Sequence, residues 1–237
     1  MNNTEFRTGV IKPVECVKEG WELIKSEYWL LFAITLVGAL IGGVTMYVLL
    51  GAMMCGIFYC YLRKIDGKPI TFEGLWKGFE WFAPGLLVTL FLVVPVIVLY
   101  VIIYVPVFMA MVMGERLSQE ELIGMLVGAV AIDFLFIVLM VCFHTLLIFS
   151  FPLIVDRGLG GFQAMKTSAK AVWGNMGGVV GLIMVNIVLT LIGQLALCVG
   201  IYFVIPIILA GNVVAYRKVF PATNGDKFNL QHAYQRL

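Results

Sequence analysis

Four stretches of this chain carry no charged side chain: 28–62, 81–114, 134–155 and 171–216. A run of about 18 or more apolar residues can cross a bilayer whose hydrocarbon core is about 30 Å thick, and all four runs are long enough. At about 1.5 Å per residue the last would reach roughly 69 Å as one helix. It must therefore fold back, with Gly193 and Gly200 near the turn. The first, at roughly 52 Å, is long for one crossing and short for two. Its flanks decide. Lys12, Lys18 and Lys25 precede it, and Arg63, Lys64 and Lys68 follow it. Cytoplasmic flanks carry the excess of Lys and Arg, so both ends are expected inside, with a tight turn near Gly42, Gly43 and Thr45.

The second run leads into a loop dominated by acid, with Glu115, Arg116, Glu120 and Glu121. The third returns to Asp156, Arg157, Lys166 and Lys170, which fits one crossing out and one back. The sum is an all-α integral membrane protein of six crossings in the cytoplasmic (inner) membrane, both termini cytoplasmic. Every Lys and Arg except Arg116 then lies inside. Pro95 and Pro106 leave five or seven crossings as alternatives, through a re-entrant break.

Three shorter segments precede the crossings. Apolar positions recur at Val14, Val17, Trp21, Leu23, Ile24 and Tyr28, at Phe72, Leu75, Phe79, Phe82 and Leu86, and at Phe162, Met165, Ala169, Val172 and Met176. Offsets of 3, 7, 10 and 14 describe one face of an amphipathic helix. Lysines lie off that face, and Trp21, Trp76, Trp81 and Trp173 accompany it, a pairing suited to the headgroup region. The expected domain is thus a single membrane domain over 1–237 built from three modules. These are interfacial helix 13–27 with hairpin 28–62, interfacial helix 70–83 with hairpin 85–155, and interfacial helix 160–175 with hairpin 177–216. A cytoplasmic tail, 217–237, follows. Glycine pairs four apart (Gly38 and Gly42, Gly124 and Gly128, Gly177 and Gly181) predict close helix packing.

Composition agrees with this pattern. The chain is 62% hydrophobic and 13% charged, against about 45–50% and about 25% in soluble domains. A net charge of +2 without a basic cluster excludes nucleic acid as a partner. The expected partners are the lipid bilayer and a membrane protein or a second copy. Cys16, Cys55, Cys60, Cys142 and Cys198 are scattered and form no CxxC pair, so neither a disulfide framework nor a zinc motif is expected. The first 27 residues mix both signs of charge and lack the short basic start of a cleaved signal. The first crossing is expected to act as an uncleaved insertion signal.

Ionisable groups inside a membrane are functional candidates. Asp133 and His144 qualify. Eleven residues place them on nearly the same helix face but about 16 Å apart, too far to form a catalytic pair. Asn186, Gln194 and Asn212 are the neutral polar candidates. They are expected either to join helices by hydrogen bonds or, with His144, to form a polar pocket. No GxSxG, HExxH or phosphate loop occurs, so no enzyme activity and no cofactor are expected.

Pro152, Asp156 and Gly158, then Ala164 and Ser168, then Asn175, followed by Gly200, Pro206 and Tyr216, form a pattern joined by Gly20, Trp21 and Gly67. The pattern resembles a loose group of uncharacterised bacterial multipass membrane proteins. These include YciC-like proteins and the membrane domain attached to some glycerophosphodiester phosphodiesterases. The resemblance implies a six-helix-type membrane domain and no catalytic residues. Two functions stand at this point. One is a non-enzymatic membrane-organising or accessory component. The other is a small-solute or lipid transporter or channel, suggested by Asp133, His144 and the prolines of the apolar runs.

Overall fold

The computed structural model describes residues 5–112, 118–195 and 200–222. Glu115 and Arg116 of the acidic loop, Cys198 and the tail from 223 lie outside the described residues. Among the described residues the regular structure is helical, with no strand. Its elements are α1 (Pro13–Ile24), α2 (Tyr28–Val44), α3 (Leu50–Ile65), a 3-10 helix (Phe72–Trp81), α4 (Phe82–Val112), α5 (Gln119–Leu146), α6 (Ser150–Arg157), α7 (Gly161–Gly174), α8 (Met176–Leu195) and α9 (Gly200–Val219). Five helical stretches are long and apolar enough to cross a membrane: Pro13–Val44, Phe72–Met109, Gln119–Arg157, Met176–Leu195 and Gly200–Val219. α3 has 16 residues, roughly 24 Å, and falls short of that length.

The chain divides into two compact units, Met1–Thr89 with Leu146–Leu237, and Leu90–Thr145. In the first, α2 and α3 run antiparallel. Thr35 Oγ1 meets Tyr61 Oη at 3.1 Å, Gly38 faces Ile57, and Gly42 faces Leu50. The turn between them falls where expected. Tyr47 N–H bonds Gly42 O at 3.0 Å, Thr45 Oγ1 donates to Ile41 O at 2.8 Å, and Met46 and Tyr47 adopt φ of 49° and 68°. α8 and α9 are also antiparallel, with Asn186 opposite Asn212 and Gly193 opposite Val204 and Ile201.

The core of this unit holds large side chains, among them Tyr61, Tyr216, Phe149 and Phe220, and the segments that lead into the apolar helices dock on it through small residues. α1 buries Cys16, Gly20 and Ile24, while Val14 and Trp21 are exposed. The reason is backbone approach: a Cβ on Gly20 would stand 2.6 Å from Gly211 N of α9. Within the expected helix 70–83, Phe72–Trp81 is a 3-10 helix rather than an amphipathic α-helix; of the apolar stripe it buries Leu75, together with Gly74 and Gly78, and leaves Phe79 exposed. Leu75 and Gly78, three apart, eclipse in that geometry. α3 closes on them so tightly that a Cβ on Gly56 would fall 2.0 Å from Leu75 O and one on Gly78 1.9 Å from Ala52 O. α7 buries Met165 and Val172 of its apolar stripe and leaves Phe162 and Trp173 exposed.

The second unit has a different character. Within 90–112 Ile103 is buried among described residues that are otherwise exposed or half-exposed, and none of the described residues of 119–145 is buried. A helix apolar on every side belongs in an apolar surrounding. The expected close packing at Gly124 and Gly128 is not present, because both face open space. Gly177 does too, whereas Gly181 of the same expected pair packs closely against Pro13, and Gly178 against Ile11.

Candidate functional site

Among the described residues a dense polar constellation lies in the first unit, where the C-terminal ends of three helices meet. α3 ends at Asp66, followed by Gly67 with φ 69°. α6 ends at Asp156 and Arg157, followed by Gly158 with φ 63°, whose N–H caps Ile154 O at 3.0 Å. α9 brings Tyr216 and Arg217 in its last turn. Helix C-termini carry partial negative charge, and each aspartate adds a full one, so the cluster needs cations. Arg217 provides a two-pronged contact to Asp66, Nε to Oδ1 at 3.0 Å and Nη2 to Oδ2 at 2.7 Å. Its Nη1 lies 2.8 Å from Asp156 Oδ1, an ion pair off the hydrogen-bonding line. Asp156 Oδ2 accepts from Tyr216 Oη at 2.7 Å and from Arg157 Nε at 3.0 Å. Arg157 Nη2 then donates to Pro221 O at 2.6 Å.

Two carboxylates and two guanidiniums balance one another in charge among these four side chains. All four side chains are at most 14% exposed. Buried pairs of this kind are costly to break and weak as net stabilisers. They fix which ends meet. Sequence reasoning marked Asp156 and Arg157 as an interface and missed Asp66 and Arg217. A signal was available: an Asp-Gly and an Asp-Arg-Gly at the ends of apolar runs, and an arginine within a turn of the end of the last run.

Ser168 and Asn175 have comparable structural roles. Ser168 Oγ donates to Leu146 O at 2.7 Å and accepts from Phe149 N–H at 3.1 Å, which pins the break before α6. Asn175 Nδ2 donates to Arg7 O and to Ala171 O, each at 2.9 Å, and its Oδ1 lies 3.4 Å from Val10 N. It thereby holds the segment that leads into α1.

The five residues singled out by sequence divide between the units. Asn186 Nδ2 donates to Asn212 Oδ1 at 3.0 Å, joining α8 to α9, and the buried Asn186 Oδ1 has no hydrogen-bond partner among the described residues. Gln194 lies exposed in the last turn of α8. Asp133 and His144 belong to the second unit. Asp133 Oδ2 accepts from Tyr104 Oη at 3.4 Å, a contact joining α4 to α5. His144 Nδ1 donates within its own helix to Met140 O at 2.8 Å. Neither meets the other. Among the described residues no group of three or more His, Cys, Asp or Glu is placed to hold a metal ion.

No protein-family model, curated protein or solved structure matches the chain.

Proposed function

We propose that this chain is a six-crossing protein of the inner membrane, both termini cytoplasmic, allied to the bacterial multipass proteins its sequence resembles. Its role is that of a non-enzymatic membrane-organising or accessory component. The observation that carries this reading is the outward placement of tryptophan. Trp21, Trp29, Trp76 and Trp173 are all exposed, and each lies in or next to one of the three segments that lead into the apolar helices. Tryptophan collects at headgroup depth. α1, the 3-10 helix and α7 bury small residues inward and present aromatics outward, as elements gripping a membrane interface would. The sixth crossing is α3. Most of its side chains are buried against protein, and Arg63 and Lys64 at its end can reach the headgroups to offset its shortness.

The polar groups of the first unit support the same role, because Asp66, Asp156, Arg157 and Arg217 pair with one another. Transport is the second reading, favoured by the unpartnered Asn186 Oδ1 beside Asn212 in an apolar helix pair. A reporter fused within 115–121 should read as extracytoplasmic; a cytoplasmic signal overturns the crossing count. For the role itself, His144→Ala and Asn212→Ala that keep the fold should still complement a deletion of the gene. Folded variants that lose complementation would put transport first.

A further inference from the structure

Between the end of α3 and the 3-10 helix lies a groove of about 240 Å³ that the pairings above leave unused. Its walls include Tyr59 and Arg63 of α3, Ile70 of the connecting loop, and Glu73, Gly74 and Lys77 of the 3-10 helix. Arg63 is half-buried and held by neutral groups. Its Nε donates to Pro69 O at 2.9 Å, its Nη1 donates to Tyr59 Oη at 3.3 Å, and its guanidinium carbon stands 5.7 Å from the centre of the Tyr59 ring. No carboxylate pairs with it among the described residues, so a positioned positive charge lines the groove. Lys77 adds a second cation. Its contact with Glu80, 2.9 Å between two exposed side chains, is of the readily exchanged surface kind. Glu73 places one carboxylate in the same lining. On the same 3-10 helix Trp76 and Phe79 stack at 6.2 Å and are exposed, a pair suited to the glycerol and upper acyl region of a lipid leaflet.

We infer that this groove binds a membrane phospholipid through a headgroup that carries both a phosphodiester and an amine, as phosphatidylethanolamine does. Arg63 holds the phosphate in a fixed charge-assisted contact, Lys77 adds its charge to the same anion, and Glu73 takes the ammonium. The argument needs the chain to lie in a bilayer, as proposed above, but neither the accessory role nor the crossing count.

The test is native mass spectrometry of the full chain, delipidated in mild detergent and titrated with phosphatidylethanolamine or phosphatidylglycerol. One phosphatidylethanolamine per chain should survive activation that strips further lipid, in preference to phosphatidylglycerol. Arg63→Gln should lower that occupancy about ten-fold, Lys77→Gln should lower it less, and Lys12→Gln, in an exposed pair outside the groove lining, should leave it unchanged. Glu73→Gln should retain binding and lose the preference. Thermal unfolding checks that each variant is folded, and if Arg63→Gln is not, Lys77→Gln and Glu73→Gln decide. Wild-type occupancy in a folded Arg63→Gln would overturn the inference. So would displacement of the lipid by millimolar inorganic phosphate, which would make the groove a site for free anions. The reporter fusion within 115–121 is read separately, so a failure of the topology and a failure of the lipid site are distinguishable.

Discussion

Gly56 and Gly78 in the first unit sit against backbone so closely that an added methyl would fall 2.0 Å and 1.9 Å from carbonyl oxygens, whereas Gly124 and Gly128 in the second face open space. The same contrast runs through the polar groups. The first unit joins three helix ends with two aspartates and two arginines. In the second, Tyr104 and Asp133 meet at 3.4 Å on an exposed surface. The first unit therefore carries its own packing instructions, written in small residues and paired charge. The second leaves apolar side chains outward along both of its helices and takes its surroundings from lipid or from another protein. Glycine spacing alone does not distinguish these cases; what each glycine touches does.

The sharpest way to break that comparison is one methyl group. Gly78→Ala places a Cβ into the Ala52 carbonyl, which only separation of α3 from the 3-10 helix can relieve. The expected loss is about 5 kcal/mol or more, enough to leave no folded protein. Gly124→Ala should fold as well as the parent. Recovery of folded Gly78→Ala by size-exclusion chromatography with a parental melting point would show that the two units do not differ in this respect.

The charge cluster comes next. Arg217→Met removes the two-pronged contact to Asp66 and the ion pair to Asp156 from a buried site and should cost about 3–5 kcal/mol. Adding Asp66→Asn to that variant should cost less than Asp66→Asn costs alone, because the two-pronged contact from Arg217 is already gone. A double-mutant cycle read by chemical or thermal unfolding measures this. Additive effects would mean that the two ends of α3 and α9 meet for other reasons. Smaller still is the Asn186–Asn212 bond. Asn212→Leu should destabilise by about 0.6 kcal/mol and at most about 1.7 kcal/mol, the range for interhelical hydrogen bonds in membranes. A larger loss would indicate that the amide pair has a partner beyond the two side chains.

Much of this was legible in the sequence because a bilayer makes a simple demand. Charge-free runs located the long apolar helices, and the turn at Gly42–Thr45 followed from length and flanking lysines. Periodicity marked the apolar stripes of the entry segments but not the contacts by which those segments dock on the helices. Close approach of backbones decides these, and Gly20, Gly56 and Gly78 were the residues to follow. Asp66 and Arg217 were missed because they are 151 residues apart and each looks like an ordinary interfacial charge. Asn186 and Asn212 were found because a polar amide in an apolar run has few other places to bond.

Asp133 tests where function lies, because the comparison expects almost nothing from it in stability. Its contact with Tyr104 is long and exposed, and its helix has no buried side chain along 119–145 among the described residues. Tyr104→Phe should leave the unfolding midpoint unchanged, and Asp133→Asn should do the same. A carboxylate inside an apolar helix that is neither needed for the fold nor for complementation is a tolerated polar group, reaching water or headgroups near the end of its crossing. A carboxylate that the fold ignores and complementation requires is different. That result would move activity into the second unit, where α4 and α5 would then carry an ion or proton path, and the first unit would become the frame that supports it.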